Sequence, residues 1–279
     1  MPRRPLPRLL ASTALAGVLA VSLGGCLTPS FDGPGALGGG VFGTKEAEAQ
    51  PPRTDEDWRR EAKFAAERYQ KNPGDVEAAV RYSQALRKTD QRAQAVAVLQ
   101  QASIRNPNNQ KILGAYGRAL ADAGDFEQAL DVLGRAHSPD QPDWRILSAQ
   151  GAVLDQMGRF DDARRYYETA LKIVPEEPSV LSNLGLSYAL SRQLPKAEAT
   201  LRRASTKAAS DRRIRQNLAL VVGLQGRFKE AEQIVGADLP PDEAASNVAY
   251  LKQMIDEQRA PRGKGARPGG QTIGLADPS

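Results

Sequence analysis

The chain has 279 residues, and 41% of them are hydrophobic, which is enough for a globular core. A single cysteine and a single histidine exclude a disulfide framework within the chain and zinc sites built from clusters of these residues. The formal net charge is +5, but residues 1–25 carry three arginines and no acid, which leaves 35 of the 38 basic residues against 33 acidic ones. A strongly basic surface for nucleic acid is therefore not indicated, and no nucleic-acid partner is expected.

The first 25 residues have the pattern of a secretory signal. Three arginines precede an apolar run from Leu9 to Leu23, which is shorter than the ~20 residues of a membrane span. The sequence LGGC at positions 23–26 resembles the lipobox of bacterial lipoproteins, in which the cysteine thiol receives a diacylglycerol and becomes the acylated N-terminus after cleavage. The resemblance implies a lipid anchor on Cys26, and because Leu27 follows it, outer-membrane sorting by analogy with enteric lipoproteins. A plain secretory peptide with a chance cysteine is the alternative.

Residues 26–53 are rich in glycine and proline and lack apolar periodicity, which predicts a flexible tether. Within them, GPGALG at 33–38 matches the dinucleotide-binding fingerprint G-x-G-x-x-G. That motif binds phosphate only between a strand and the start of a helix, and the sequence predicts neither neighbour. The tether is therefore the better interpretation.

Residues 54–259 have helical periodicity and repeat every 34 residues, in units 76–109, 110–143, 144–177, 178–211 and 212–240. The eighth residue of each unit is small, the twentieth is alanine, and the twenty-seventh is alanine in four units. This pattern is identified as the tetratricopeptide repeat (TPR), a helix-turn-helix unit whose helices A and B approach closely at these small residues. The expected fold is all-α, a right-handed α-solenoid of about five TPR units.

The sequence also predicts the turns within the units and the ends of the array. Gly124, Gly158 and Gly226 are expected to end helix A in a left-handed conformation, whereas in the fourth unit Leu194 and Pro195 are expected at the start of helix B. A helix over 55–72 is predicted to cap the N-terminal end and a helix over 241–258 the C-terminal end. Residues 260–279 are predicted to be a disordered tail, although the basic stretch RGKGAR offers contact with an anionic surface.

The sequence gives little support for catalysis. The single histidine, His137, falls in the loop after helix B of the second unit and is expected to be solvated. Without a histidine base or a nucleophile motif, we expect no enzyme, no small-molecule substrate, no metal and no cofactor other than the acyl chains on Cys26.

A concave face lined by the A helices is the expected binding surface of such an array, at positions two, five, six, nine, twelve and thirteen of each unit. Asn183 and Asn217 both occupy position six, where an amide in peptide-binding relatives holds a ligand backbone, although a plain polar residue of the helix face is an equal alternative. Arginines on this face can bind a carboxylate of the partner. The predicted groove residues are Arg145, Ala149, Asp155, Asn183, Leu186, Leu190, Arg213, Asn217, Leu220 and Leu224.

The C-terminal half resembles one family of TPR lipoproteins more specifically. The segments DWRILSAQGAVLDQMGR, PSVLSNLGLSYALSRQLPKAEATLRRA and RQNLALVVGLQGRFKEAEQIVGADLPPDEAASNVAYLKQM are similar to the TadD family of the tight-adherence (Tad, or Flp) pilus machinery over about residues 76–256. The resemblance implies an outer-membrane lipoprotein that faces the periplasm and helps the pilus secretin to localise or assemble, as a pilotin does. A general envelope scaffold and an enzyme with an unusual site are the alternatives.

Overall fold

The computed structural model describes residues 54–259, and these residues form twelve α-helices. The expected signal segment 1–25, Cys26, the tether 26–53 and the tail 260–279 lie outside the described residues. The helix bounds are α1 Asp55–Lys71, α2 Val76–Lys88, α3 Arg92–Arg105, α4 Gln110–Ala123, α5 Phe126–Gly134, α6 Trp144–Gln156, α7 Phe160–Ile173, α8 Pro178–Leu190, α9 Leu194–Lys207, α10 Arg212–Leu224, α11 Phe228–Val235 and α12 Pro241–Arg259. No helix among these is long and apolar enough to cross a membrane.

The helices pair into five hairpins, α2/α3, α4/α5, α6/α7, α8/α9 and α10/α11, which are the A and B helices of the five units. Each hairpin packs on the next, while α1 covers α2 at one end and α12 covers α10 and α11 at the other. The all-α solenoid predicted from the repeat is confirmed.

Polar side chains fix where the A helices begin. Asp75, Asn109, Asp143 and Asp211 each accept a backbone N–H of the first turn, at 2.7–3.1 Å. Such caps satisfy N–H groups that have no partner within the helix. The fourth A helix has no side-chain cap and begins with Pro178, whose missing N–H needs no acceptor there.

The turns between A and B helices use left-handed residues, as predicted. Gly124, Gly158 and Gly226 have φ values of 91°, 74° and 84°. In the first and fourth units the corresponding turns contain Asp90 and Arg192, at φ 60° and 61°. A residue with a side chain accepts this conformation at some cost, so the turn geometry is imposed by the packing of the hairpin and not by glycine alone.

Helices A and B approach closely where the eighth residue of a unit meets the twentieth and twenty-fourth. The five alanines at position twenty are all fully buried, and a Cβ added to Gly185 would lie 2.6 Å from Leu201 Cγ and 3.3 Å from the Ala197 carbonyl oxygen. At Gly117 and Gly151 the space of the missing Cβ is occupied in the same way, by the side chains of Leu133 and Tyr167. The missing Cβ therefore sets the distance between the two helices.

A buried carboxylate links the third and fourth units. Asp155, which the sequence placed on the groove, is only 8% exposed, because Tyr167 and Ser187 cover it. The Tyr167 hydroxyl donates to Oδ2 at 2.9 Å and the Ser187 hydroxyl to Oδ1 at 2.7 Å. Burial raises the pKa of Asp155 to about 6, although these two hydrogen bonds and the nearby Arg164 act in the opposite direction. Asp155 is thus part of the packing between units, which corrects its assignment to the groove.

Substitution of Gly185 by alanine is expected to destabilise the array, because the new Cβ displaces the buried Leu201. We expect a loss of ~1–3 kcal/mol in the free energy of unfolding, measured by urea denaturation. Gly134→Ala is the matched control, since the nearest atom to its added Cβ, Gln150 Nε2, is 3.9 Å away. Equal effects of the two substitutions would contradict this account of the close approach.

Substitution of Asp155 by asparagine is expected to change how stability depends on pH. A carboxyl whose pKa is raised from 3.8 to about 6 on folding stabilises the fold below pH 3.8 and loses that contribution as the pH rises through 6. The variant should therefore gain on the wild type by up to ~3 kcal/mol of unfolding free energy between pH 4 and 7. Denaturant titrations at several pH values measure this difference.

The control for this pH series is Asp75→Asn. The hydrogen bond from the backbone N–H of Ala78 lowers the pKa of the partly buried Asp75 from its ordinary value of 3.8, the opposite direction to Asp155. A difference between wild type and Asp155→Asn that stays constant from pH 4 to 7 would show that Asp155 is not buried as described.

Candidate protein-binding groove

The two asparagines at position six form a ladder across the A helices. Asn183 Nδ2 on α8 donates to Ser148 Oγ on α6 at 3.1 Å, and Asn217 Nδ2 on α10 donates to Ser182 Oγ on α8 at 3.1 Å. Both asparagines are partly buried. They therefore tie successive units together, which the sequence did not predict because their partners lie 35 residues away.

The ladder leaves one half of each amide available to a ligand. Within residues 54–259 the hydrogen bonds of Asn183 and Asn217 use Nδ2, and no N–H or O–H of the chain donates to either Oδ1. An amide oxygen held in place by the other half of its own group is a well-ordered acceptor for a backbone N–H. The arrangement can fix an extended segment that runs across α8 and α10.

Four leucines accompany the asparagines on the same helices. Leu186 and Leu190 are one turn apart on α8, and Leu220 and Leu224 repeat them one unit later on α10. All four are partly buried, and none is a member of the hydrophobic clusters that form the core of the described residues. The structure thus places the predicted apolar residues side by side, at the surface of two A helices that contact each other.

The corresponding positions of the first two units are mostly charged instead. Glu77 and Lys111 form an ion pair, Arg81 pairs with Glu61 at 3.0 Å, and Arg87 pairs with Asp122 at 2.5 Å. These pairs join neighbouring helices across the face. The groove is therefore polar toward α2 and α4 and apolar toward α8 and α10.

The two predicted arginines are not brought together. Arg145 is exposed on α6, where its guanidinium stacks over the ring of Trp144 at 4.4 Å from the centroid. Arg213 lies two units away on α10 and approaches Asp211, the cap of its own helix, at 3.4 Å. A third arginine on this face, Arg118, was missed by the sequence reasoning, although it occupies position nine of the second unit.

His137 differs from the expected solvated loop residue. Helix α5 ends at Gly134, five residues earlier in the repeat than α3 or α7, and the following loop contacts α6 through His137 and Gln150. His137 is partly buried there, with Nε2 at 3.3 Å from Gln150 Oε1. Its Nδ1 is buried without a hydrogen-bond partner among residues 54–259, where no cluster of three or more His, Cys, Asp and Glu side chains is arranged to hold a metal.

Comparisons with known families identify the repeats. The family model for the tetratricopeptide repeat matches residues 148–212, and the model for subunit 3 of the anaphase-promoting complex (cyclosome) matches residues 59–136. Curated protein sequences give no significant match.

Solved structures share the fold at low sequence identity. PilW, a widely conserved type IV pilus biogenesis factor, is 17% identical with a TM-score of 0.60, over 70% of this chain and 91% of PilW. A chain of the Cut9–Hcn1 hetero-tetramer of the anaphase-promoting complex gives 12% identity and a TM-score of 0.59, over 72% of this chain and 40% of that one. Human IFIT1 with PPP-AAAA is 16% identical with a TM-score of 0.57, over 74% of this chain and 52% of the IFIT1 chain. Hairpins, turns and family models agree that the chain is an α-solenoid of tetratricopeptide repeats, an architecture that generally serves as a non-catalytic protein-interaction module.

Proposed function

We propose that the protein is a non-enzymatic lipoprotein of the outer membrane, facing the periplasm, that binds a protein partner during assembly of a Tad (Flp) pilus. In this proposal it has a pilotin-like role, and the partner is a segment of the pilus secretin. The observation that carries the binding role is on α8 and α10, which together present two amide oxygens without a donor from residues 54–259 and four partly buried leucines outside the core clusters.

This surface suits an extended peptide segment. Asn183 and Asn217 offer acceptors for the backbone of the segment, and Leu186, Leu190 and Leu220 offer apolar contact to its side chains. Because the leucines are only partly buried in the described chain, their remaining apolar surface is still available to a partner. Neither contact requires a cofactor or a reacting group.

Two observations support the connection with pili. The segments of the C-terminal half resemble the TadD family, including the helix that caps the array, which is α12 in the structure. PilW, which has the same fold along most of its length, is a type IV pilus biogenesis factor. A general envelope scaffold for outer-membrane or cell-wall assembly is the alternative, because neither matching family model describes a pilus protein.

The proposed anchor is compatible with the position of the array. If Cys26 is the acylated N-terminus, residues 27–53 separate the membrane surface from α1. If these residues form the flexible tether that the sequence predicts, their typical end-to-end distance would be ~30 Å. The solenoid can then reach a partner in the periplasm while its acyl chains stay in the membrane.

Mass spectrometry of the native protein is expected to find Cys26 as its first residue, carrying a diacylglycerol and an N-linked acyl chain. Cys26→Ser should abolish the acylation, because serine lacks the thiol that receives the diacylglycerol. An unmodified thiol in the native protein would contradict the anchor. Fractionation with the inner membrane would contradict the outer-membrane location alone.

The groove is tested by complementing a strain that lacks the gene. Wild-type protein should restore secretin multimers and surface pili, whereas Asn183→Ala with Asn217→Ala should not, because loss of the acceptors costs ~1–3 kcal/mol of binding per site. The matched control is Ser148→Ala with Ser182→Ala, which breaks the same ladder but keeps both amides. The unfolding free energy of each variant should fall by only ~1 kcal/mol per lost bond.

Three outcomes of this experiment are distinct. Secretin multimers and pili that persist without the gene would refute the pilus role and favour the general scaffold. A double asparagine variant that complements as well as wild type would show that α8 and α10 are not the recognition surface. Failure of the serine control at normal protein levels would show that the amides bind only when the ladder holds them in place.

A further inference from the structure

Three groove residues follow one another along α10 and form what we call the α10 stripe. Leu224 is the last residue of the helix, Leu220 is one turn before it, and Asn217 is about one turn before Leu220. Both leucines are partly buried and lie outside the core clusters, and no N–H or O–H of residues 54–259 donates to Oδ1 of Asn217. The stripe covers about 10 Å of helix.

The chain leaves the array close to this stripe. Helix α12 packs on the C-terminal end of α10, where a Cβ added to Gly223 would lie 2.5 Å from Leu251 Cδ2. Ile255, one turn later on α12, is still buried. Arg259 ends α12 eight residues after Leu251, which is about 12 Å of helix. Residues 260–279, which we call the tail, therefore begin within roughly 25 Å of Leu224.

The tail contains only two large apolar residues, Ile273 and Leu275, on either side of Gly274. In an extended segment such side chains point to the same side and lie about 6.6 Å apart. This spacing is close to the ~6 Å between residues one turn apart on a helix. Residues 260–272 can span up to about 45 Å, which is more than the distance from the end of α12 to the α10 stripe.

We infer that residues 273–277 of this chain occupy the α10 stripe when no partner is bound. The two apolar side chains of the segment pack on Leu224 and Leu220, in that order, and a backbone N–H near Asp277 donates to Oδ1 of Asn217. An extended segment advances ~13 Å over these residues, which matches the ~10 Å of the stripe.

This inference rests on the proposed function, because it uses the same groove, and it adds an internal competitor for the partner. A segment held on the same chain by thirteen residues acts at a local concentration of millimolar order. A partner that needs the α10 stripe must displace the segment, which lowers the apparent affinity of the partner. The apolar surface of the stripe is covered until then.

The test is photo-crosslinking within the purified full-length protein in non-ionic detergent, without any partner. Benzoyl-phenylalanine replaces Leu224 or Leu220 in the stripe, or the control residue Tyr250 on α12, which is 57% exposed and lies near the start of the tail. Leu224 and Leu220 should crosslink to residues 272–277 of the same chain. Tyr250 should give at least about 5-fold less, because proximity without the apolar stripe does not hold the segment.

Two pairs of substitutions in the tail are compared in the protein that carries the crosslinker at Leu224. Ile273→Ser with Leu275→Ser should lower the yield at least about 5-fold, because the apolar contacts that hold the segment are lost. Ala260→Ser with Ala266→Ser is the matched control, which also replaces two apolar residues of the tail, and should leave the yield within about 2-fold.

The inference is overturned if stripe and control positions crosslink equally, or if the first serine pair does not lower the yield. Mixtures of isotope-labelled and unlabelled protein distinguish crosslinks within one chain from crosslinks between two copies. Crosslinks only between copies would show that a second molecule occupies the stripe, which also overturns the inference.

This experiment can fail independently of the proposed function. Tail crosslinks in a protein whose loss leaves secretin multimers and pili unchanged would support the inference and refute the pilus role. Absence of tail crosslinks, together with crosslinks from Leu224 to the secretin in cells, would refute the inference and leave the proposed function in place.

Discussion

The close contact of helices A and B at a residue without a Cβ is the constraint on which the rest of the structure depends. At Gly117, Gly151 and Gly185 the space of the missing Cβ is filled by the twenty-fourth residue of the same unit. This contact fixes the separation of the two helices, and the fully buried alanines at position twenty pack beside it without solvent exposure. Because the same distance recurs every 34 residues, the A helices stack in register and form a continuous face.

The third unit shows how this packing orients the candidate groove. Tyr167 fills the space at Gly151 and donates its hydroxyl to the buried Asp155, which also accepts the hydroxyl of Ser187 on α8. Helix α8 is the element that presents Asn183 and two of the groove leucines. A buried charge is costly, but a carboxylate with two fixed donors restricts how α8 can rotate against α6. The polar link therefore orients the proposed binding surface, although Asp155 itself is buried beneath it.

The repeat pattern predicted the fold because the distance between helices A and B limits the size of the residue at each contact position. The sizes of these residues therefore reveal the 34-residue period. Gly124 and Gly226 were confirmed for the same reason, since their left-handed backbone limits the choice of residue. The degree to which each side chain is buried was harder to predict. Asp155 and Arg118 occupy face positions by their number, yet a neighbouring helix covers each of them in part. The Asn–Ser ladder joins residues of different units, and only the superhelical register brings these partners together.

The most direct test of the account is to locate the partner on the array in living cells. A photo-crosslinking benzoyl-phenylalanine is placed at Leu190 or Leu224 in the groove, and at Ile104 on α3, which is 68% exposed. The account predicts crosslinks to the secretin from both groove positions and none from Ile104. Crosslinks from Ile104 with none from the two leucines would contradict it, because the partner would then bind outside the concave face.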